Sequence, residues 1–230
     1  MRYIYCHPLF DEMKCAYRFS YQLKKTFEAN GLLLERFDYR GTGEAQGDFK
    51  DVSLETLRDD LSGHINGQQV TLIGVRFGAS LAFDYCAGGA GQVKNLVLLE
   101  PIVDGAEYAD YLYRKQQIKD MMSYNSSGGL NNNGFKNLEG YKTSLKFIEQ
   151  IRRFNLFKTA GKYTANNFIF IGQISGTSKV DPRVMDWAKL LAQKAKHISI
   201  ENIDLPIFWE RIPCFDYSKL TQKVSGWCYG

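Results

Sequence analysis

The run Leu72-Ile73-Gly74-Val75-Arg76-Phe77-Gly78-Ala79-Ser80 holds the residues whose types and spacing come nearest to chemistry. Residues 70–73 read as an apolar strand and residues 79–83 as the start of an apolar helix. The glycines two positions to either side of Arg76 let the backbone turn sharply between them, which is the build of a nucleophile elbow. The apex of this one carries arginine. A guanidinium stays protonated at any working pH and cannot attack a carbonyl. At the mouth of a helix, where backbone amides already favour negative charge, it predicts a site that holds a carboxylate or phosphate instead of cutting a bond.

The amides of Phe77 and Leu9 would complete such a site. A buried arginine without a partner is too costly to persist, so a carboxylate must lie close. Glu12 and Glu100, both expected on loops at the carboxyl ends of flanking strands, are the candidates. Catalysis would need other groups. The chain has three histidines, His7, His64 and His197. His7 falls beside the turn, where a base could reach a bound ligand, and it reads equally as a structural imidazole hydrogen-bonded to backbone. His64 ends a surface helix and His197 starts a strand. Cys6 and Ser80 are the substitute nucleophiles, against a bland reading of Cys6 as a small buried hydrophobe and of Ser80 as packed into its helix. His7 and Cys6 are therefore the catalytic candidates, and none is assigned.

Short apolar runs alternate with amphipathic stretches, the pattern of a mostly parallel sheet flanked by helices. Strands are expected near 2–6, 32–38, 69–74, 95–99, 167–172 and 197–201, and helices near 13–30, 54–62, 78–87, 182–195 and 217–226. Asn30-Gly31 stops the first helix, and Ser53 with Thr56 opens the second under Asp51. Residues 101–163 break the rhythm and read as an inserted helical cap, about 104–163. Within it 108–122 and 143–157 are expected as helices, joined by a Ser/Gly/Asn link at 126–133. Lys142, Lys146, Arg152, Arg153 and Lys158 would give the second cap helix a basic side opposite Leu145, Ile148, Ile151 and Phe154. That side suits an anionic partner or peripheral membrane contact, or simply faces solvent. Tyr108, Tyr111, Tyr113 and the Met121-Met122 pair would line a tunnel or pack the cap.

Composition narrows the classes. At 230 residues and 44% hydrophobic, the chain suits one domain, and it has no apolar run near the length of a membrane span. Its first residues enter strand-like sequence without a signal-peptide core, which predicts the cytoplasm. Five cysteines without regular spacing read as reduced thiols, with no disulfide framework and no metal site. A net charge of +4 gives no nucleic-acid footprint. Gly41, Gly43 and Gly47 fail as a dinucleotide fingerprint, because the third glycine comes one residue late and residues 48–51 intervene before the helix. No cofactor is expected.

Two further loops stand in a telling order around the turn: Cys6-His7-Pro8-Leu9-Phe10-Asp11-Glu12-Met13-Lys14, and Asp38-Tyr39-Arg40-Gly41-Thr42-Gly43-Glu44-Ala45-Gln46-Gly47-Asp48-Phe49. Together with the turn they resemble the α/β-hydrolase superfamily. Three more segments, Glu100-Pro101-Ile102-Val103-Asp104-Gly105, Glu139-Gly140-Tyr141-Lys142-Thr143-Ser144 and Pro206-Ile207-Phe208-Trp209-Glu210, with the Glu12-Met13 pair, are similar to the exosortase-associated hydrolases of the second type, whose turn tends to read G-x-R-x-G. The resemblance implies an α/β-hydrolase fold, from whose ordinary members this chain is expected to depart by beginning at the strand usually counted third, which leaves a minimal core. It also implies a pocket and an association with bacterial exopolysaccharide and protein-sorting gene neighbourhoods. The candidate ligand-binding set is Arg76, Phe77, Leu9, Glu12, Glu100 and Trp209.

A hydrolase triad needs an acid after the strand at 167–172 and a histidine after the last strand. Residues 172–179 offer no acid and residues 202–209 no histidine. The expected function is therefore binding of a small anionic molecule or a protein partner at Arg76. The alternative is a cryptic esterase, thioesterase or acyltransferase using His7 with Cys6 or an activated water. The sequence leaves the oligomeric state open.

Overall fold

The computed structural model describes residues 1–89, 91–122, 134–165, 167–175, 180–211 and 216–229. In chain order the first elements are β1 (Arg2–Cys6), α1 (Asp11–Ala29), β2 (Leu34–Arg36), α2 (Leu54–Ile65), β3 (Val70–Val75), α3 (Phe77–Ala87), β4 (Val93–Leu99) and α4 (Gly105–Met122). They are followed by β5 (Phe135–Leu138), β6 (Tyr141–Ser144), α5 (Leu145–Arg153), α6 (Leu156–Lys162), β7 (Phe168–Ile174), α7 (Pro182–Ala192), β8 (His197–Ile203) and α8 (Ser218–Tyr229). The chain forms two compact units.

The first unit comprises Met1–Phe37, Ser62–Val103 and Leu156–Gly230. Its six strands form one sheet in the order β2-β1-β3-β4-β7-β8, with every pairing parallel. The central strands are apolar along their length because helices cover both faces, as a parallel sheet requires. On one face Tyr3, Tyr5, Ile73, Val97 and Leu99 pack against Phe19, Leu23 and Phe27 of α1 and Leu220 and Val224 of α8. On the other, Phe83 of α3 meets Trp187 of α7 edge-on at 4.9 Å. The expected fold class is the one observed. Asn30 caps α1, and Gly31 follows at φ 73°, the left-handed turn that glycine tolerates.

The second unit comprises Asp38–Leu61 and Asp104–Asn155. Ser53 and Thr56 open α2 reciprocally: the Thr56 amide donates to Ser53 Oγ at 3.2 Å and the Ser53 amide to Thr56 Oγ1 at 2.8 Å. The helix expected over 143–157 is a strand, a helix and a second helix in succession. Thr143 and Ser144 close the antiparallel β5–β6 hairpin, whose turn residues Glu139 and Gly140 both have positive φ, as tight hairpins demand. Ser144 then caps α5 by accepting from the Phe147 amide at 3.1 Å. Leu145, expected on the apolar side, is exposed, and Phe147 is buried with Ile148 and Ile151. Arg152 pairs with Asp110 and Arg153 with Glu149, so part of the basic side is neutralised. Met121 and Met122 stand in solvent. The link at 126–133 lies outside the described residues.

Candidate functional site

Adjacent strands of the parallel sheet end in loops that each hold a non-glycine residue at positive φ: Phe10 after β1 (56°), Arg76 after β3 (55°) and Glu100 after β4 (48°). Such conformations cost energy for side chains with a Cβ and persist only where the surroundings impose them. Their clustering at the carboxyl ends of parallel strands coincides with the edge where open α/β sheets hold ligands.

Arg76 is the whole connection between β3 and α3. Its amide donates to Leu99 O at 2.9 Å, prolonging the sheet, and its carbonyl accepts from Ala79 at 3.0 Å and Ser80 at 3.2 Å, starting the helix. A Cβ on Gly74 would stand 2.4 Å from Ala79 Cα, and one on Gly78 would stand 2.3 Å from the carbonyl oxygens of both Cys6 and His7. Both positions therefore exclude any other residue without backbone movement.

The helix dipole explains where the arginine side chain goes. A cation at the N-terminus of α3 faces the positive end of that helix, which repels it. Arg76 turns instead to Glu12, whose Oε1 accepts from Nε and Nη2 at 3.2 Å each. Glu12 lies in the first turn of α1, not on the loop expected for it, and there the positive end of α1 favours its charge. The pair is enclosed: the glutamate side chain is 1% exposed and the arginine 14%. The guanidinium carbon also lies 5.1 Å from the ring centre of buried Trp209, a cation–π distance.

Glu100 is the second carboxylate. Its Oε2 accepts from the Ile174 amide at 2.8 Å, and its own amide donates to Gly172 O at 2.7 Å. Burial pushes its carboxyl above the ordinary glutamate range, outweighing the Ile174 amide and the Arg76 guanidinium that favour the ionised form. Asp181 adds to the upward push. This aspartate caps α7 and is itself held below the usual carboxylate range by the side chain of Arg183. Its amide donates to Gln173 Oε1. Asp181 and Gln173 escaped the sequence reading, although an Asp-Pro pair that opens a helix is a recognisable cap signal. Residues 176–179, part of the stretch expected to offer no triad acid, lie outside the described residues.

The remaining candidates divide between this cluster and other places. Leu9 is buried between β1 and α1, and Phe77 opens α3 with a buried ring. Cys6 is fully buried at the end of β1, and buried His7 sets its ring edge-on to Tyr5 at 4.8 Å. Ser80 is buried and donates from Oγ to Ile102 O at 2.9 Å. His64 is engaged elsewhere, with Nδ1 2.6 Å from Glu35 and its ring stacked on Phe37 at 4.2 Å. His197 is exposed at the start of the edge strand β8.

The loop after β2 belongs to the second unit. There a Cβ on Gly43 would stand 2.1 Å from the Asp38 carboxylate and one on Gly41 would stand 2.4 Å from the Phe49 amide, so both glycines are required by the loop itself. Among the described residues no group of three or more His, Cys, Asp or Glu side chains could hold a metal ion, and no helix is long and apolar enough to cross a membrane.

These features define an α/β-hydrolase fold, and solved structures agree. Est1E from Butyrivibrio proteoclasticus, solved with ferulic acid bound, is similar with a TM-score of 0.68 at 15% identity, over 99% of this chain and 87% of that one. An enol-lactonase from Burkholderia xenovorans LB400 gives 0.62 at 14% identity, over 100% and 92%. Mouse alpha/beta hydrolase domain-containing protein 10 gives 0.59 at 13%, over 97% and 88%. No protein-family model and no curated protein sequence matches the chain.

Proposed function

We propose that this chain is a hydrolase-fold protein that binds a small carboxylate- or phosphate-bearing molecule at Arg76 and has given up triad chemistry. One observation carries the reading: the residue at the apex of the β3–α3 turn is a guanidinium, held between buried Glu12 and the ring of Trp209. With Glu12 and Glu100 both ionised, the group sums to one negative charge, which opposes an anion. Burial pushes the Glu100 carboxyl upward, which lessens this opposition, because the protonated form leaves these three groups neutral and supplies an acidic hydrogen-bond donor. Binding is then coupled to proton uptake and tightens as pH falls. The amides of Phe77 and Leu9 are the further donors. We read the chain as one hydrolase-like domain with a cap insertion at about 104–163, of the exosortase-associated kind, working in the cytoplasm; a protein partner would engage the same site.

Hexanoate and hexyl phosphate are suitable probes. Thermal shift at two pH values should show stabilisation in the wild type, larger at the lower pH, and none in Arg76→Gln. Equal shifts in the two proteins would refute the assignment.

The names of the structural neighbours favour a second reading, hydrolysis of an ester or lactone with His7 as base and Cys6 or water as nucleophile. Cys6 and His7 are buried, at 0% and 2% exposure, which opposes it. Turnover of p-nitrophenyl butyrate that is abolished by Cys6→Ser or His7→Gln would establish the enzyme.

A further inference from the structure

The amino ends of the strands in the first unit carry a feature of a different kind. A cleft of ≈ 630 Å³ opens there, within the size range of small-molecule sites. Its floor follows from strand register. Tyr3, Thr71, Asn95 and Phe168 are paired in turn across β1, β3, β4 and β7, so they form one row on the face that α1 and α8 cover further along. In the next row Phe170 stacks on Trp227 of α8, with centroids 5.7 Å apart and planes 11° from parallel. Both rings are only partly buried, so an aromatic wall borders the opening.

Charge at the cleft has one sign. Its lining includes Lys94 and Lys196 and, among the described residues, no carboxylate. Both lysines are exposed, and Lys196 Nζ lies 4.6 Å over the Phe168 ring. Among the described residues no ion pair involves either ammonium group. An ammonium over the Phe168 ring, a second lysine in the lining and a wall of aromatic rings match a flat, electron-rich body that bears a negative group. The rings would take the body by stacking and the ammonium groups would take the charge.

We propose that this cleft is a second ligand site, for a planar aromatic molecule carrying a carboxylate or another small anionic group. It is separate from Arg76, which stands at the opposite ends of the same strands. Titration calorimetry with 2-naphthoate on the full chain tests it. Binding should weaken at least tenfold in Lys94→Gln/Lys196→Gln, and at least tenfold when neutral 2-naphthylmethanol replaces the acid. Arg76→Gln, which removes any carboxylate site at the other end of the sheet, should keep the 2-naphthoate binding that the lysine variant loses, so the two proposals fail separately. Trp227→Leu supplies an independent check on the wall and should weaken binding several-fold. The proposal is overturned if millimolar 2-naphthoate gives no binding heat, if acid and alcohol bind equally, or if Arg76→Gln abolishes binding that the lysine variant keeps.

Discussion

The two ends of one sheet handle charge in opposite ways. At the carboxyl ends, Arg76, Glu12 and Glu100 are largely buried, tied to one another or to backbone, and carried on loops with three residues at positive φ. At the amino ends, Lys94 and Lys196 stand in solvent beside aromatic rings. Enclosed charges demand partners, and the partners fix geometry before any ligand arrives. Solvated charges demand nothing and stay available. The first arrangement couples a site to folding; the second leaves it nearly independent of stability.

Breaking the enclosed pair should give the largest effect. Glu12→Ala leaves a buried guanidinium uncompensated and is expected to cost about 3–5 kcal/mol in urea unfolding. Replacing both partners, as in Glu12→Leu/Arg76→Met, should recover most of that loss, because two apolar side chains of similar size need no partner. A double variant as unstable as Glu12→Ala would show that the pair is not the source.

Next in size comes Gly78→Ala, whose new methyl would press on two backbone carbonyls that cannot swing aside. About 3 kcal/mol is expected, at the upper end for overpacking, with a matching drop in the denaturation midpoint. Because this variant changes no charge, it isolates the backbone share of the carboxyl-end site.

A smaller effect should appear only with pH. The carboxyl of Glu100 is raised in the folded chain, so between the unfolded and folded pKa values the folded state holds more protons. Its contribution is intact below the unfolded value, near pH 4.3, and is lost as pH rises through the folded one. Glu100→Gln keeps an acceptor for the Ile174 amide and has no proton to lose. Melting temperatures scanned upward from about pH 4 should therefore fall in wild type relative to the variant, and parallel curves would contradict the burial argument. Smallest of all, Lys94→Gln/Lys196→Gln should leave stability within about 0.5 kcal/mol of wild type.

Much of this was legible in the primary structure. The apolar runs that became β1, β3, β4 and β7 announced a parallel sheet, and Gly74 and Gly78 announced the tight turn, because each depends on local periodicity or on the absence of a Cβ. The region after residue 134 was misread for a related reason. Leu145, Ile148 and Ile151 carry a helical period that runs straight through Thr143-Ser144, and only the hairpin partner Phe135–Leu138 made those two residues a strand. Asp181 is legible along the chain only as the cap before Pro182; its influence on Glu100, some eighty residues earlier, exists only in the fold.

What residue order alone determined was the α/β class, the arginine at the turn, and hence the lack of a nucleophile there: these are properties of neighbours along the chain. Tertiary structure decided which carboxylate neutralises Arg76, that Trp209 covers it, that burial holds Glu100 towards its protonated form, and that a charged aromatic cleft exists at the far ends of the strands. Pairing, burial and strand register bring together residues distant in sequence, and their energies exist only once the chain has folded.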